Sequence, residues 1–332
     1  MMARVGLEIG SMVPVALKVK MYYAIKPLLP RKAQISLRRG VIDRKRAEHF
    51  ETWPIDDGAA QPPLWWQGWP GGKKFALVLT HDVERFEGQF ACIRIAMLER
   101  SLGFRSAFYF VPERYRVLPR IRNHLTSHGH EVGVHDYNHD GKLFSSERVF
   151  NQRSESINGY LKKWGAHGFR SGAMHHNLKW ISRLSIRYDC STFDTDPFEP
   201  QPDGVRTIFP FTVYDPSSAK EYVEIPYTLP QDFTLFVLMR EDGPITWKKK
   251  LDWIAEHGGM ALVNVHPDYT NLDDRDDQVE QYPVRFYKEF LQYAEEKYGG
   301  EYWHALPNEL AEYWMTLPRE GNQRIIEDGG NT

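Results

Sequence analysis

At 332 residues, with 42% hydrophobic and 26% charged residues, the chain has a soluble globular composition and could hold one large domain or two ordinary ones. A net charge of −2 excludes the bulk electrostatic attraction on which general nucleic-acid binding depends. Two cysteines, Cys92 and Cys190, with no Cys-x-x-Cys, exclude a disulfide framework and a cysteine zinc site and fit a reducing, cytoplasmic setting.

Residues 1–50 read as a basic, partly apolar arm. Its apolar stretch is broken by Glu8, Lys18 and Lys20 and falls short of the roughly 20 residues a membrane span needs. No small-residue cleavage site of a signal peptide follows it. Lys26, Arg31, Lys32, Arg38, Arg39, Arg44, Lys45 and Arg46 then crowd together. Such an arm either packs along its own domain or a partner subunit, or makes peripheral contact with an anionic membrane surface. Residues 53–72, rich in Pro, Gly and Trp, read as a linker or wrapping loop. The expected organisation is therefore an arm and linker over 1–72, a catalytic domain over 73–318 and a flexible tail over 319–332.

From Lys73 strand and helix signals alternate. "FALVLT" (75–80) is a continuous apolar run, the mark of a strand covered on both faces. Ala91, Ile95, Leu98 and Leu102 have helical spacing, and Gly103 is a stop. "SAFYFV" (106–111) is a strand, Ile121 and Leu125 mark a short helix, and "HEVGVH" (130–135) is the third strand. Phe150, Ile157, Leu161 and Trp164 give one face of a long helix, followed by strands at "GFRS" and "YDCSTF" around a helix near 178–184. Residues 196–218, rich in Pro, Asp and Ser, read as a long excursion. "YVEIPYTL" (222–229) is a strand, Trp247, Leu251 and Ile254 mark a helix, "MALVNV" (260–265) is a strand, and a last long helix covers about 284–298. Repeated strand–helix units imply a parallel sheet with helices outside it.

Three of these strands run into polar groups: His81-Asp82-Val83-Glu84, His135-Asp136-Tyr137-Asn138-His139, and His266-Pro267-Asp268. In parallel α/β folds the carboxyl ends of the strands share one rim, where active sites sit. Groups this costly to bury are expected where a cation or substrate offsets their desolvation. Two imidazoles and a carboxylate make an open site for a divalent ion, and such an ion lowers the pKa of a bound water to about 7. Each signal alone has a plainer reading: a histidine pair four apart arises by chance, Asp82 could cap a helix, and His266 could hold a loop. Their joint placement at three strand ends favours a metal-assisted hydrolytic site.

"LTHDVE", "SAFYFV", "GHEVGVHDYNHD", "GFRSG" and "ALVNVHP", in this order, resemble the successive motifs of the polysaccharide deacetylases, over roughly residues 73–316. The resemblance implies a distorted (β/α)7 barrel, preceded here by the N-terminal arm. It implies that Asp82 is the general base, that Glu84, His135 and His139 hold a divalent metal, zinc being the expected ion, that Arg170 orients Asp82, and that His266 is the general acid. Three positions depart from the family pattern. Glu84 stands where an aspartate is usual, Asp136 follows the first metal histidine in place of Ser or Thr, and "RSGAMHH" replaces a continuation to proline, which sets His175 and His176 either near the pocket or on a surface loop.

The implied function is a metal-dependent amide hydrolase that removes an N-acyl group, acetyl first, from an amino sugar in surface polysaccharide or glycan-precursor metabolism. Its expected partner is a carbohydrate or sugar-precursor substrate, not nucleic acid, and its setting is cytoplasmic, with membrane association through residues 1–50. The same chemistry on a small cyclic amide is the runner-up. A glycan-binding protein that has lost catalysis is the third reading, against which intact Asp82, His135, His139 and His266 argue.

Overall fold

A computed structural model describes residues 30–49, 51–273, 279–317 and 323–325. Helix α1 (Arg31–Glu48) precedes strand β1 (Phe75–Val83). Helix and strand then alternate through α2 (Gly88–Ser101), β2 (Ala107–Phe110), α3 (Pro119–Ser127), β3 (Glu131–His135), α4 (Glu147–Trp164), β4 (Gly168–Arg170), α5 (Leu178–Ile181) and β5 (Tyr188–Asp189). Strands β6 (Phe211–Asp215) and β7 (Lys220–Glu224) form a hairpin, followed by a π-helical segment at Phe233–Leu238 and helix α6 (Ile245–His257). Strands β8 (Met260–Val265), β9 (Thr270–Asn271) and β10 (Tyr282–Pro283), helix α7 (Val284–Tyr298), strand β11 (Tyr302–His304), helix α8 (Pro307–Met315) and strand β12 (Gln323–Ile325) complete the order.

The sheet runs β8-β1-β2-β3-β4-β5-β7-β6-β12, with β11 beside the first residues of β1. Every pairing is parallel except the β6–β7 hairpin. The chain leaving β7 closes the curl. The Tyr227 N–H donates to the Thr192 carbonyl at 2.9 Å, and the Leu229 N–H donates to the Leu262 carbonyl of β8 at 3.0 Å. Strands β1–β5, β7 and β8 therefore make the distorted (β/α)7 barrel that the motif order implies. Strands β1 and β8 are buried at every residue, because helices cover one face and the barrel lumen takes the other. Helix α4 shows how local chemistry sets an element: the Ser146 hydroxyl accepts from the Val149 N–H, Gly165 at φ 64° ends the last turn, and Phe150, Ile157 and Leu161 face the core.

Two expectations change. Strand β6 lies inside the stretch read as a long excursion. Its alternating "FTVYD" pairs with β7 in register from Phe211↔Glu224 to Asp215↔Lys220, and the Pro- and Asp-rich residues before it hide that short alternation. Of the expected tail 319–332, residues 323–325 pair with β6, and the others lie outside the described residues. Trp65, Trp66 and Trp69 pack on Trp303, Trp314 and Phe209, and the Trp69 indole donates to the Gly258 carbonyl at 2.8 Å, just ahead of β8 and so at the opposite end of the strands.

Helix α1 packs on the barrel beside the π-helical segment. Ile35 and Ile42 are buried, Arg39 donates twice to the Val237 carbonyl at 3.0 and 2.8 Å, and Lys45 donates to the Pro197 carbonyl at 2.7 Å. Residues 1–29 and Phe50 of the arm assigned to membrane contact lie outside the described residues. Among the described residues no helix is long and apolar enough to cross a membrane.

Candidate active site

Strand alternation decides what enters the barrel. In β1, Thr80 and Asp82 face the lumen, whereas His81 turns outward between Phe108 and α2. There His81 Nε2 lies 2.7 Å from Glu99 Oε1, and Glu99 also accepts from the hydroxyls of Ser106 and Tyr287, so His81 belongs to a buried packing network and not to the site. Register brings the remaining groups abreast. Pairing of His81 with Val265 sets Asp82 beside His266, and His135 pairs with Arg170.

Asp82 is buried at the centre. Its Oδ1 accepts from Arg170 Nη1 at 3.1 Å and its Oδ2 from Asn264 Nδ2 at 2.8 Å. Oδ2 also lies 4.0 Å from His135 Nε2 and 3.8 Å from His266 Nε2. Burial alone would raise the Asp82 pKa, but Arg170, then His135, His266 and the Asn264 bond, outweigh it and hold the pKa at about 2. Asp82 is thus ionised throughout the physiological range and is not a helix cap. Arg170 is itself fully buried, its Nη1 shared among Thr80, Asp82 and Asn264, its Nε bonded to the Cys190 carbonyl, and its plane over Tyr109 at 4.8 Å.

Glu84, His135 and His139 form the candidate metal centre, their potential ligand atoms all lying within 4.8 Å of one another. His135 Nδ1 lies 3.0 Å from the Arg170 carbonyl, which can only accept, so the proton sits on Nδ1 and the Nε2 lone pair is available. That buried Nε2 has no hydrogen-bond partner, the condition a metal ligand leaves behind. Glu84 Oε1 lies 3.2 Å from His139 Nε2, while Oε2 accepts from the Tyr269 hydroxyl at 2.6 Å. Burial opposes ionisation of Glu84, yet His139 and the Tyr269 bond hold its pKa well below the usual range. The donor set of two imidazoles and one ionised carboxylate fits a divalent cation. Asp82 stands apart from it, with both oxygens already taken by Arg170 and Asn264.

The loop carrying His139 is shaped by Asp136, which replaces the usual Ser or Thr. Asp136 sits at φ 54° and His139 at φ 56°, and the Asp136 carboxylate accepts from the Gly172 N–H at 3.2 Å and from the Tyr137 N–H. Gly172 is needed here, since a Cβ would lie 2.4 Å from Asp136 Oδ2 and 3.0 Å from the His139 ring. Of the two histidines in "RSGAMHH", His175 feels the charges of Asp136 and His139 and so flanks the site, whereas His176 Nε2 points at Asp203 Oδ1, 3.6 Å away.

On the other side, His266 Nδ1 donates to Asp232 Oδ1 at 2.6 Å and its backbone N–H donates to Oδ2 at 2.7 Å. Burial disfavours the imidazolium, but Asp232 first, and Asp82 and Glu84 after it, raise the His266 pKa to about 10. The site therefore pairs an ionised carboxylate with a protonated imidazole less than 4 Å away, the separation of states that acid–base chemistry needs. Three contributors escaped the sequence reading. Asn264 carried a signal, a lone polar residue inside the apolar "MALVNV". Tyr269 went unread although it directly follows His266-Pro267-Asp268, and Asp232 carried no signal, since it heads the π-helical segment outside any strand-end pattern.

The sequence matches no family model and no curated protein. Solved structures do match. One is a Mycobacterium smegmatis protein provisionally assigned as a polysaccharide deacetylase, at TM-score 0.60 and 17% identity over 81% of this chain and 99% of that one. The PuuE allantoinase gives TM-score 0.61 at 16% identity over 80% and 98% of the two chains. A Pseudomonas aeruginosa PAO1 protein, also provisionally assigned as a polysaccharide deacetylase, gives 0.55 at 17% over 75% and 93%. The chain shares the fold of these three structures.

Proposed function

We propose that the protein is a metal-dependent amide hydrolase that removes an N-acyl group, acetyl first, from an amino sugar. The observation that carries this reading is the contrast between the two carboxylates. Glu84 stands with His135 and His139 as a donor set, while Asp82 is held ionised beside them with both oxygens bonded to other residues. Glu84, His135 and His139 would hold a divalent cation, zinc being the expected one, which when bound would supply an activated water and polarise the acyl carbonyl. Asp82 is the base placed to accept the proton of the attacking water, and Arg170 and Asn264 fix the direction of its lone pairs. The imidazolium of His266, held by Asp232 with its Nε2 3.8 Å from Asp82 Oδ2, gives its proton to the departing amine. The sugar would come from surface polysaccharide or glycan-precursor metabolism in the cytoplasm.

Likeness to the PuuE allantoinase favours a second reading, the same chemistry on a small cyclic amide. Acetate release from N-acetyl amino sugars, assayed in parallel with ring opening of cyclic amides, separates the two. Acetate release that vanishes in Asp82→Asn is expected, and ring opening alone would overturn the amino-sugar reading.

A further inference from the structure

Helix α1 does more than cover the barrel. Arg38 places its guanidinium carbon 4.9 Å from the centre of the Phe233 ring, and Phe233 directly follows Asp232, the residue that holds His266. The Phe233 ring lies 4.5 Å from that of Tyr269, which in turn lies 5.3 Å from the His266 ring and bonds Glu84. Two aromatic rings, Phe233 and Tyr269, therefore connect Arg38 to the acid of the site. Stacking on a ring fixes the guanidinium plane and leaves its N–H edges open to an anion.

The carboxylates of the site do not take that charge. Asp82 is bonded by Arg170, Glu84 faces His139, and Asp232 holds His266. The carboxyl whose charge Arg38 does reach is Glu199, only 8% exposed. Its Oε1 accepts from the Tyr227 hydroxyl at 2.9 Å and from Gln231 at 2.6 Å. Burial, then repulsion from Asp196, raises the Glu199 pKa to about 8, so at neutral pH it is largely a neutral donor. Across the cleft, Arg114 is exposed on the loop after β2, and its charge reaches His139. Among the described residues neither Arg38 nor Arg114 has an ion-pair partner.

We propose that Arg38 is a specificity-determining residue that reads an anionic group, phosphate or carboxylate, on the substrate. This rests on the amide-hydrolase reading above and narrows its substrate to an acidic or phosphorylated N-acyl amino sugar. A charge-assisted hydrogen bond to such a group sets preference through binding, so its loss is read mainly in KM.

The test compares the metal-loaded full chain with Arg38→Ala and Arg38→Lys on three substrates: N-acetylglucosamine 1-phosphate, an N-acetyl hexosaminuronate and a neutral N-acetylglucosamine oligosaccharide. The expected result is a higher kcat/KM on one of the two anionic substrates, and which one identifies the anion. In Arg38→Ala the ratio of anionic to neutral kcat/KM should fall by about 10- to 100-fold, chiefly through KM, with part restored in Arg38→Lys. Parallel loss on all three substrates would mean a merely structural role and overturn the inference, as would an unchanged ratio. Calorimetry with glucosamine 1-phosphate and an amino uronate separates this from the catalytic reading. Binding lost in Arg38→Ala sustains the anion site even if no substrate is turned over. Turnover of the neutral sugar without binding of either anion overturns the inference and leaves the proposed function standing.

Discussion

At the scale of single residues, the two carboxylates of β1 make separable predictions. Asp82→Asn should leave metal content unchanged and lower kcat by about 10²- to 10⁴-fold, the usual effect of removing a general base. Metal analysis beside turnover checks it, and joint loss of metal and activity would exchange the roles of Asp82 and Glu84. Glu84→Gln should weaken metal affinity, because it removes a negative charge from the donor set, while Glu84→Asp keeps the charge and shortens the reach. The structure shows why a glutamate can serve here, since Tyr269 bonds its outer oxygen and Asp268 accepts from its backbone N–H at 2.7 Å. Competition titration against a chelator measures both variants, and an unchanged affinity in Glu84→Gln rules the residue out as a ligand.

His266 gives a pH prediction with a definite sign. It must be protonated to act as acid, so activity is present below its pKa and lost as pH rises through it. Asp232 is the largest of the influences that raise that pKa to about 10. Asp232→Asn should therefore move the alkaline limb of the pH–kcat profile down by about one unit or more. An alkaline limb that stays in place would remove His266 from the proton path.

At the scale of elements, stability depends on buried pairs as well as on apolar packing. Lys250 of α6 meets Asp194, on the segment after β5, at 2.6 Å, with both side chains inaccessible. Lys250→Met should cost about 3–5 kcal/mol at neutral pH, because it strands a buried carboxylate. Burial already raises the Asp194 pKa to about 6, against the pull of Lys250, and removing the lysine raises it further. A raised carboxyl pKa loses stability as pH rises, so the deficit of the variant should shrink on acidification to pH 5. Denaturant unfolding at the two pH values measures it.

The sequence revealed some elements and hid others for physical reasons. Strands β1 and β8 were legible because burial on both faces makes continuous apolar runs, β3 through the alternation of Val132 and Val134, and α4 through its periodicity and closing glycine. Strand β6 was not, since five alternating residues after a Pro-rich stretch give little periodicity to read. The same holds within the site. Asp82, His135, His139, Arg170 and His266 lie in strands or immediately after them, where apolar context throws polar groups into relief. Asp232 sits in a loop ahead of a π-helical segment, and only the folded chain brings it to His266.

At the scale of the whole molecule, barrel closure makes the site, because β1, β3, β4 and β8 contribute groups that are as far apart in sequence as Asp82 and His266. Trp65, Trp66 and Trp69 seal the end of the strands opposite the site. Helix α1 belongs to this arrangement and is not a detached arm over its described length. The central claim is that one metal ion, held by Glu84, His135 and His139, is needed for amide hydrolysis. The most direct measurement strips the protein of metal and titrates zinc back while acetate release from an N-acetyl amino sugar is followed. Activity should rise from background and saturate at about one ion per chain, and a His135→Ala, His139→Ala double variant should bind none and stay silent. Acetate release at full rate from the stripped protein, or full metal occupancy in the double variant, would contradict the account.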